Sequence, residues 1–384
     1  MNFDLTEEQA MIRAAARDFA EKEIAPVAKE INRNKIFPLD LIKKMGKLGF
    51  LGLILPTKYG GGGASYISYC VMLEEIAHAD VGTAATTSAH MSLCAHSIEH
   101  WGTEEQKQKY LPRLCSGEIL GFLASTEPDA GSDVAGIQTM ATPQGDAWLL
   151  NGNKMWITNG SYAGVGIVIA QTQKGSGSRG LTAFLVEKGT PGFSAKDIHN
   201  KLGLHSSNTA ELAFENCLIP KGNLLGAVGK GMSVALSAFD CARLGVAARS
   251  VGAAQACIDA CVTYVQNRKQ FGKPIGNFQL VQELIADMTV ETEAARLLAY
   301  RAATIKDTGD PATIETSMAK YYASEMVQRA AHNAIQIHGS YGYSDEFPIE
   351  RIWRDVRIGS ILEGTSQVHK LIIGRAKTGF NAFS

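Results

Sequence analysis

Three long alanine-rich stretches, residues 235–266, 278–306 and 311–338, carry helical patterning almost without a break. They constrain the fold more than any other feature, because segments of that length pack against one another as a bundle. The region before them is of a different kind. Between residues 118 and 228, short β-prone runs at 165–170, 181–186 and 211–214 are interrupted by Gly, Ser and Pro. The first 117 residues return to helical spacing. Thr6-Glu7-Glu8-Gln9 and Thr103-Glu104-Glu105-Gln106 both spell a capping box, and Ile12, Ala16, Phe19 and Ile24 follow the first at helical intervals. Helices, then strands, then helices excludes a doubly wound nucleotide fold, which alternates strand and helix throughout. The expected architecture is a multi-domain α+β protein. An N-terminal α-helical domain spans 1–117, a central β-sandwich or barrel domain 118–228, and a C-terminal four-helix bundle 229–384. Two local expectations accompany it: a hairpin turn at Asn151-Gly152 between β-prone flanks, and a helix starting at Asp310-Pro311 with Pro in the first helical position.

Composition narrows the function classes. Lys and Arg number 37 against 38 Asp and Glu, so no global field recruits nucleic acid or acidic membranes. The segment Met1–Ala10 is acidic and lacks the basic and apolar regions of a signal peptide. No run of 18 apolar residues predicts membrane insertion. Seven cysteines without a Cys-x-x-Cys pair predict reduced thiols in a cytoplasmic protein.

Two literal motifs must be weighed against their context. Gly175-Ser-Gly177-Ser-Arg-Gly180 spells a dinucleotide fingerprint, but a strand follows it instead of a helix, so it reads as a loop. His96-Ser-Ile-Glu99-His100 could place two imidazoles on one helix face for zinc, as in a hydrolase, but no third ligand is identifiable. The Gly60–Gly63 run lacks the Lys-Ser/Thr ending of a phosphate loop and reads as a turn.

Four stretches offer chemistry instead. In Ile358–Gln367 a single carboxylate, Glu363, stands among Ile361 and Leu362 directly before an N-cap at Thr365. Burial there would raise its pKa toward that of a general base. Thr126–Asp133 is a Gly-containing turn rich in hydroxyls and backbone N–H groups. Trp156 and Thr158 lie two residues apart, on one face of a strand. Arg268–Pro274 ends a helix with a cation and the ring of Phe271, suited to a diphosphate and a stacking ring.

Together these residues resemble the acyl-CoA dehydrogenase family over essentially the whole chain. The carrying blocks are 126–133, 156–160, Phe-Asp-Cys-Ala-Arg at 239–243, 268–274, Gln-Ile-His-Gly-Ser-Tyr-Gly-Tyr at 336–343, and Arg354-Asp through Glu-Gly-Thr-Ser-Gln at 363–367. The resemblance implies FAD, an acyl-CoA substrate, transfer of electrons to an electron-transfer flavoprotein, and a homotetramer built as a dimer of dimers. It implies oxidoreductase chemistry on a CH–CH donor, the α,β-dehydrogenation of an acyl thioester. Glu363 would take the α-proton, and the β-hydrogen would leave as hydride to flavin N5. Leu123, Thr126, Gly131, Ser132, Trp156, Ile157 and Thr158 match flavin-side positions. Arg268, Phe271, Gln279, Gln336, Gly339 and Ser340 match FAD contacts made across a subunit interface, and Thr365 and Gln367 match contacts beside the base. Ser132, His90, Met91, Phe239, Asp240, Arg243, Leu362 and Gly364 match the substrate side. A same-fold oxidase or monooxygenase, and a zinc hydrolase on His96 and His100, are the alternatives.

Departures from the family pattern bear on the substrate. Leu362 stands where many members have Tyr, Leu123 where an aromatic is usual, and Ser340 where Gly is frequent. With His90 and Met91 as bulk opposite, these predict a pocket for a short straight, branched or alicyclic acyl group. No Arg lies between Ala84 and Met91, where members specific for glutaryl groups hold the distal carboxylate, so a dicarboxylic substrate is not expected.

Overall fold

The computed structural model describes residues 4–382; the outermost residues of the first and last expected domains, 1–3 and 383–384, lie outside the described residues. The described residues open with seven α-helices: α1 Glu7–Phe19, α2 Ala25–Asn34, α3 Leu39–Lys47, α4 Tyr66–Ala79, α5 Val81–Ser88, α6 His96–Trp101 and α7 Glu104–Cys115. Both capping boxes form. The Thr6 hydroxyl accepts from the Gln9 N–H, and Thr103 from Gln106, each contributing about 0.5–2 kcal/mol to its helix. Between α5 and α6 the helix widens into a π segment at Ala89–Ala95.

Eight strands follow: β1 Gly121–Ala124, β2 Met140–Gln144, β3 Ala147–Thr158, β4 Val165–Gln171, β5 Leu181–Glu187, β6 Phe193–Asp197, β7 Thr209–Pro220 and β8 Leu224–Leu225. Their hydrogen bonds trace the path β6-β7-β3-β2-β4-β5-β8, with β1 parallel to β4. The β2–β4 link is one pair, Met140 with Gln171, so the sheet is two halves joined at a single point. Aromatic contacts bridge the halves: Trp148 of β3 lies 5.5 Å from Phe184 of β5, and Phe122 of β1 lies 6.2 Å from Phe193 of β6. That is the packing of a small sandwich.

The hairpin forms elsewhere than expected. The two-residue turn is Gly145-Asp146, flanked by the Gln144–Ala147 pair, and β3 runs straight through Asn151-Gly152. Its pairing with β7 shifts register between Leu150 and Gly152, and the Asn151 side chain accepts from the Asn216 N–H at 2.8 Å across the strands. The Asn-Gly signal marks a bulge, which shares the backbone freedom of a turn.

The last third contains α8 Gly231–Asn267, a short ribbon of β9 Lys269–Gln270 and β10 Lys273–Pro274, α9 Gln279–Asp307, α10 Thr313–His338, α11 Ile349–Val356 and α12 Ser366–Thr378. Helices α8, α9 and α10 pack on one another through Ala faces, and α12 lies against α10. Helix α10 starts at Thr313, two residues after Pro311, with no side-chain cap at Ala312. By composition α8 could cross a bilayer, but 67% of its most apolar window is buried inside the protein, as befits a core helix. It packs along α4 so closely that a Cβ on Gly252 would meet the Glu74 carbonyl oxygen at 2.1 Å. All seven cysteines are free and buried.

Candidate active site

Thr365 caps α12 as its sequence predicts, its hydroxyl accepting from the Val368 N–H at 3.2 Å. The turn just before it holds Glu363 in the left-handed region, at φ +54°. For a residue with a Cβ this costs of order 1–3 kcal/mol and persists only where surrounding contacts enforce it. Two buried cations do so. Lys320 Nζ on α10 donates to the Gly364 carbonyl at 2.6 Å, and Arg243 Nε on α8 donates to the Glu363 carbonyl at 3.3 Å. Asp240 orients Arg243 through a 2.7 Å ion pair and also accepts from the Thr313 hydroxyl. Beneath the turn His369 is fully enclosed, and burial pushes its imidazole down to about 3, so it is neutral.

The Glu363 carboxylate accepts no hydrogen bond from any described residue, and the Glu363 N–H finds no acceptor there. The residue keeps some surface, but its carboxyl is desolvated enough to be held above the usual carboxylate range. Arg249, Arg243 and Lys320 pull the other way through their fields and do not reverse the shift. Burial also pushes Lys320 down to about 7. The turn therefore presents an unpaired carboxylate of raised proton affinity next to an unused N–H donor, the pair that abstraction of a carbon-bound proton beside a carbonyl requires.

A second group forms on the β domain. The Met155 N–H donates to the Thr126 carbonyl at 2.9 Å, which sets the Thr126–Asp133 turn against β3. A register shift between Lys154 and Ile157 turns Trp156 outward at φ +64° and leaves it 59% exposed. Thr126 and Thr158 are half-buried, Gly131 and Ser132 exposed, and Leu123 and Ile157 buried. Under the turn, Lys154 Nζ meets Glu127 at 2.7 Å and the Ser125 carbonyl at 3.0 Å, while Glu127 also accepts from the Thr139 N–H at 2.9 Å. Burial alone would raise Glu127; Lys154 and the backbone donors outweigh it and hold the carboxyl below its usual range. An exposed indole beside neutral hydroxyls and amides fits a large uncharged ring such as an isoalloxazine.

Arg268, Gln279, Gln336, Gly339 and Ser340 are exposed, and Phe271 is 92% exposed. Arg268 lies over the Tyr341 ring at 5.8 Å and, with it, lines a cavity of about 640 Å³. None of the cavity's lining residues belongs to the Glu363 turn. Within one chain, the Arg268 cavity is thus lined by neither Trp156 nor Glu363. Phe239, Leu362 and Gly364 are half-buried, and Gln367 is exposed.

His90 and Met91 do not line an acyl pocket. Both are fully buried. The Gly121 N–H donates to His90 Nδ1 at 3.0 Å, and His90 Nε2 bonds the Leu114 carbonyl at 3.1 Å, so both ring nitrogens serve the junction between π segment, α7 and β1. Met91 packs in the N-terminal core. The bulk expected from them is absorbed by packing. His96 and His100 stack at 6.2 Å, and among the described residues no three His, Cys, Asp or Glu side chains are placed to hold a metal ion. The Gly175–Gly180 loop links β4 to β5 through a short 3₁₀ turn.

Lys320, Arg249 and the Glu127–Lys154 pair were not singled out from the sequence. Lys320 and Arg249 did leave a signal, as single charges inside otherwise small and apolar helical faces.

Profiles of three domains match the chain: the acyl-CoA dehydrogenase N-terminal domain over 6–118, the middle domain over 123–217 and the C-terminal domain over 229–378. The chain is 45% identical to an acryloyl-CoA reductase (NADH) of Anaerotignum propionicum, covering 98% of this chain and 95% of that protein. Butyryl-CoA dehydrogenase of Megasphaera elsdenii superposes with a TM-score of 0.96 at 43% identity, covering 98% of this chain and all of the other (100%). A chain from a structure described as the electron transferring flavoprotein of Acidaminococcus fermentans gives 0.97 at 45% identity, covering 98% and 100%. Similar chains have been solved with FAD or FADH2. Strong likeness over all three domains leaves one assignment: this protein belongs to the acyl-CoA dehydrogenase family.

Proposed function

We propose that the protein is an FAD-dependent dehydrogenase of a short-chain acyl-CoA thioester, with Glu363 as the base that takes the α-proton. The observation that carries this reading is the Glu363 turn, which holds an unpaired, desolvated carboxylate in a strained conformation over buried cations. FAD, when bound, supplies the hydride acceptor at flavin N5 for the β-hydrogen. Trp156, Thr158, Thr126 and Ser132 would hold the ring side of the cofactor. The free Glu363 N–H would donate to the thioester carbonyl as charge develops there. Phe239, Asp240 and Arg243 would meet the thioester tail, while Leu362 would leave the wall beside the base short and apolar.

A homotetramer belongs to the same reading. Leu280 and Val290 on α9 are more than two-thirds exposed, and the Arg268 cavity is not lined by Glu363, as a site completed by a neighbouring subunit requires. Electron transfer to a flavoprotein and a cytoplasmic location complete it; the buried free thiols suit a reducing compartment.

The test is an absorbance spectrum followed by anaerobic titration with short acyl-CoA thioesters. A yellow protein whose flavin band bleaches with butyryl-CoA is expected. A colourless protein that FAD does not reconstitute would overturn the reading. In the Leu362→Tyr variant, activity on branched or alicyclic thioesters should fall more than activity on butyryl-CoA; equal losses would remove Leu362 from the specificity wall.

A further inference from the structure

The guanidinium of Arg249 acts on Glu363 through its field, but nothing described so far takes up its hydrogen-bond donors. The residue is 7% exposed, yet it forms no hydrogen bond or ion pair with any described residue, although it carries five donors. Burying such a group unpaired is unfavourable unless a partner arrives. Its surroundings are built. Arg249 lies one turn after Gly245 on the same face of α8, and a long helical side chain leans back over the preceding turn. At Gly245 that face meets two hydroxyls, Tyr69 of α4 and Ser88 of α5, which bond each other at 3.0 Å. A Cβ on Gly245 would lie 2.5 Å from the Tyr69 oxygen and 2.2 Å from the Ser88 oxygen, so glycine is what lets the hydroxyls reach α8. Tyr69 is fully buried and Ser88 nearly so. Arg249 acts electrostatically on both Glu363 and Tyr69, so its charge is felt by the base and by the hydroxyl pair alike.

We propose that Arg249, with Tyr69 and Ser88, receives an acidic group at the far end of the acyl chain, so that the substrate is a short dicarboxylic acid carried as its CoA monothioester. A guanidinium can take a carboxylate through two parallel bonds, and the Tyr69–Ser88 pair, with one O–H spent on its own bond, keeps one O–H to donate to a remaining lone pair. A neutral acyl end would leave the cation unpaired. The expectation against a dicarboxylic substrate rested on the lack of Arg between Ala84 and Met91; Arg249 instead comes from α8, which packs on this segment where Gly245 meets Ser88.

This inference rests on the dehydrogenase reading, and its test separates the two. The FAD-loaded enzyme is titrated anaerobically with thioesters matched in length: glutaryl-CoA against pentanoyl-CoA, and succinyl-CoA against butyryl-CoA. The expected result is at least a tenfold preference for one acidic member over its neutral partner. In Arg249→Gln that preference should invert: kcat/KM for the acidic thioester should fall well over tenfold further than that for the neutral one, whose own loss reports only the cation withdrawn from the field at Glu363. Arg249→Lys should restore part of the acidic-substrate activity. Preference for the neutral partners by wild type overturns the inference and leaves the dehydrogenase reading standing. Equal loss on both substrate classes in Arg249→Gln also overturns it, and makes Arg249 a residue that acts on Glu363. Flavin reduction by no thioester at all sinks the dehydrogenase reading itself. Should Arg249→Gln fail to fold, the wild-type preference decides alone.

Discussion

Glu127 and Glu363 are both carboxylates withdrawn from water beside buried cations, and their proton affinities move in opposite directions. Glu127 touches Lys154 and accepts backbone N–H bonds, so contact outweighs desolvation and the carboxyl is held ionised. Glu363 feels Arg249, Arg243 and Lys320 only through their fields, because Arg243 gives its donors to the Glu363 carbonyl and to Asp240, and Lys320 gives its own to the Gly364 carbonyl. The difference lies in where the donors point, not in how many cations are near. A carboxylate locked by donors is a fastener. One left unbonded can take a proton.

The strongest test of this contrast is Glu363→Gln, which keeps shape and removes the proton acceptor. Flavin reduction by acyl-CoA should fall about 10²–10⁴-fold with FAD content retained. Near-normal reduction would mean the base is another group, with Asp240 the first to examine. Lys154→Met should instead act on folding. Breaking a buried pair costs about 3–5 kcal/mol, read as a lower denaturation midpoint, and adding Glu127→Leu should recover much of it. A Lys154→Met protein as stable as wild type would put the two carboxylates in the same class.

The pH dependence of stability should differ in sign. The folded pKa of Glu127 is depressed, so its contribution is present above the ordinary carboxylate range and is lost as pH falls through the folded value. That of Glu363 is raised, so its contribution is fully present below the ordinary value and is lost as pH rises through the folded one. Unfolding measured across pH should show Glu127→Gln flattening the acid side, while Glu363→Gln gains stability relative to wild type toward neutral pH. The same sign for both variants would break the contrast. The smallest shift along the pH axis is expected of Lys320→Met, whose lost bond to the Gly364 carbonyl should show separately as lower activity at every pH. Removing one cation from the field should move the ascending limb of kcat/KM to higher pH by about one unit or less, since Glu363 must be ionised to act.

What could be read from the sequence follows the range of the interactions. Caps act over three residues, and Thr6, Thr103 and Thr365 cap as their spelling predicts. The lone carboxylate before Thr365 was visible for the same reason. Of the cations that shape its turn, the sequence offers Arg243 only as a substrate-side match and Lys320 not at all: their bonds to it span 120 and 44 positions, and only the packing of α8 and α10 brings them there. Asn151-Gly152 was misassigned because turns and bulges ask for the same backbone freedom, and the choice between them is made by β7, more than fifty residues later. His90 looked available for a ligand because sequence does not show which main-chain groups will claim its nitrogens.

The seam between α4 and α8 also has a consequence in time. Ten successive residues of α4, Ser68 through Ala77, are buried in the finished protein, so the helix is covered all round. Much of that cover is α8, which starts about 150 residues later, and one of its ionic partners, Arg296 bonded to Glu74 at 3.0 Å, comes later still. On a ribosome adding about 5–20 residues per second, a greasy helix would wait roughly 8–30 s for its cover. The N-terminal helices are thus committed to remaining unfinished while the β domain is being made, and the chain closes its first core only once α8 has followed.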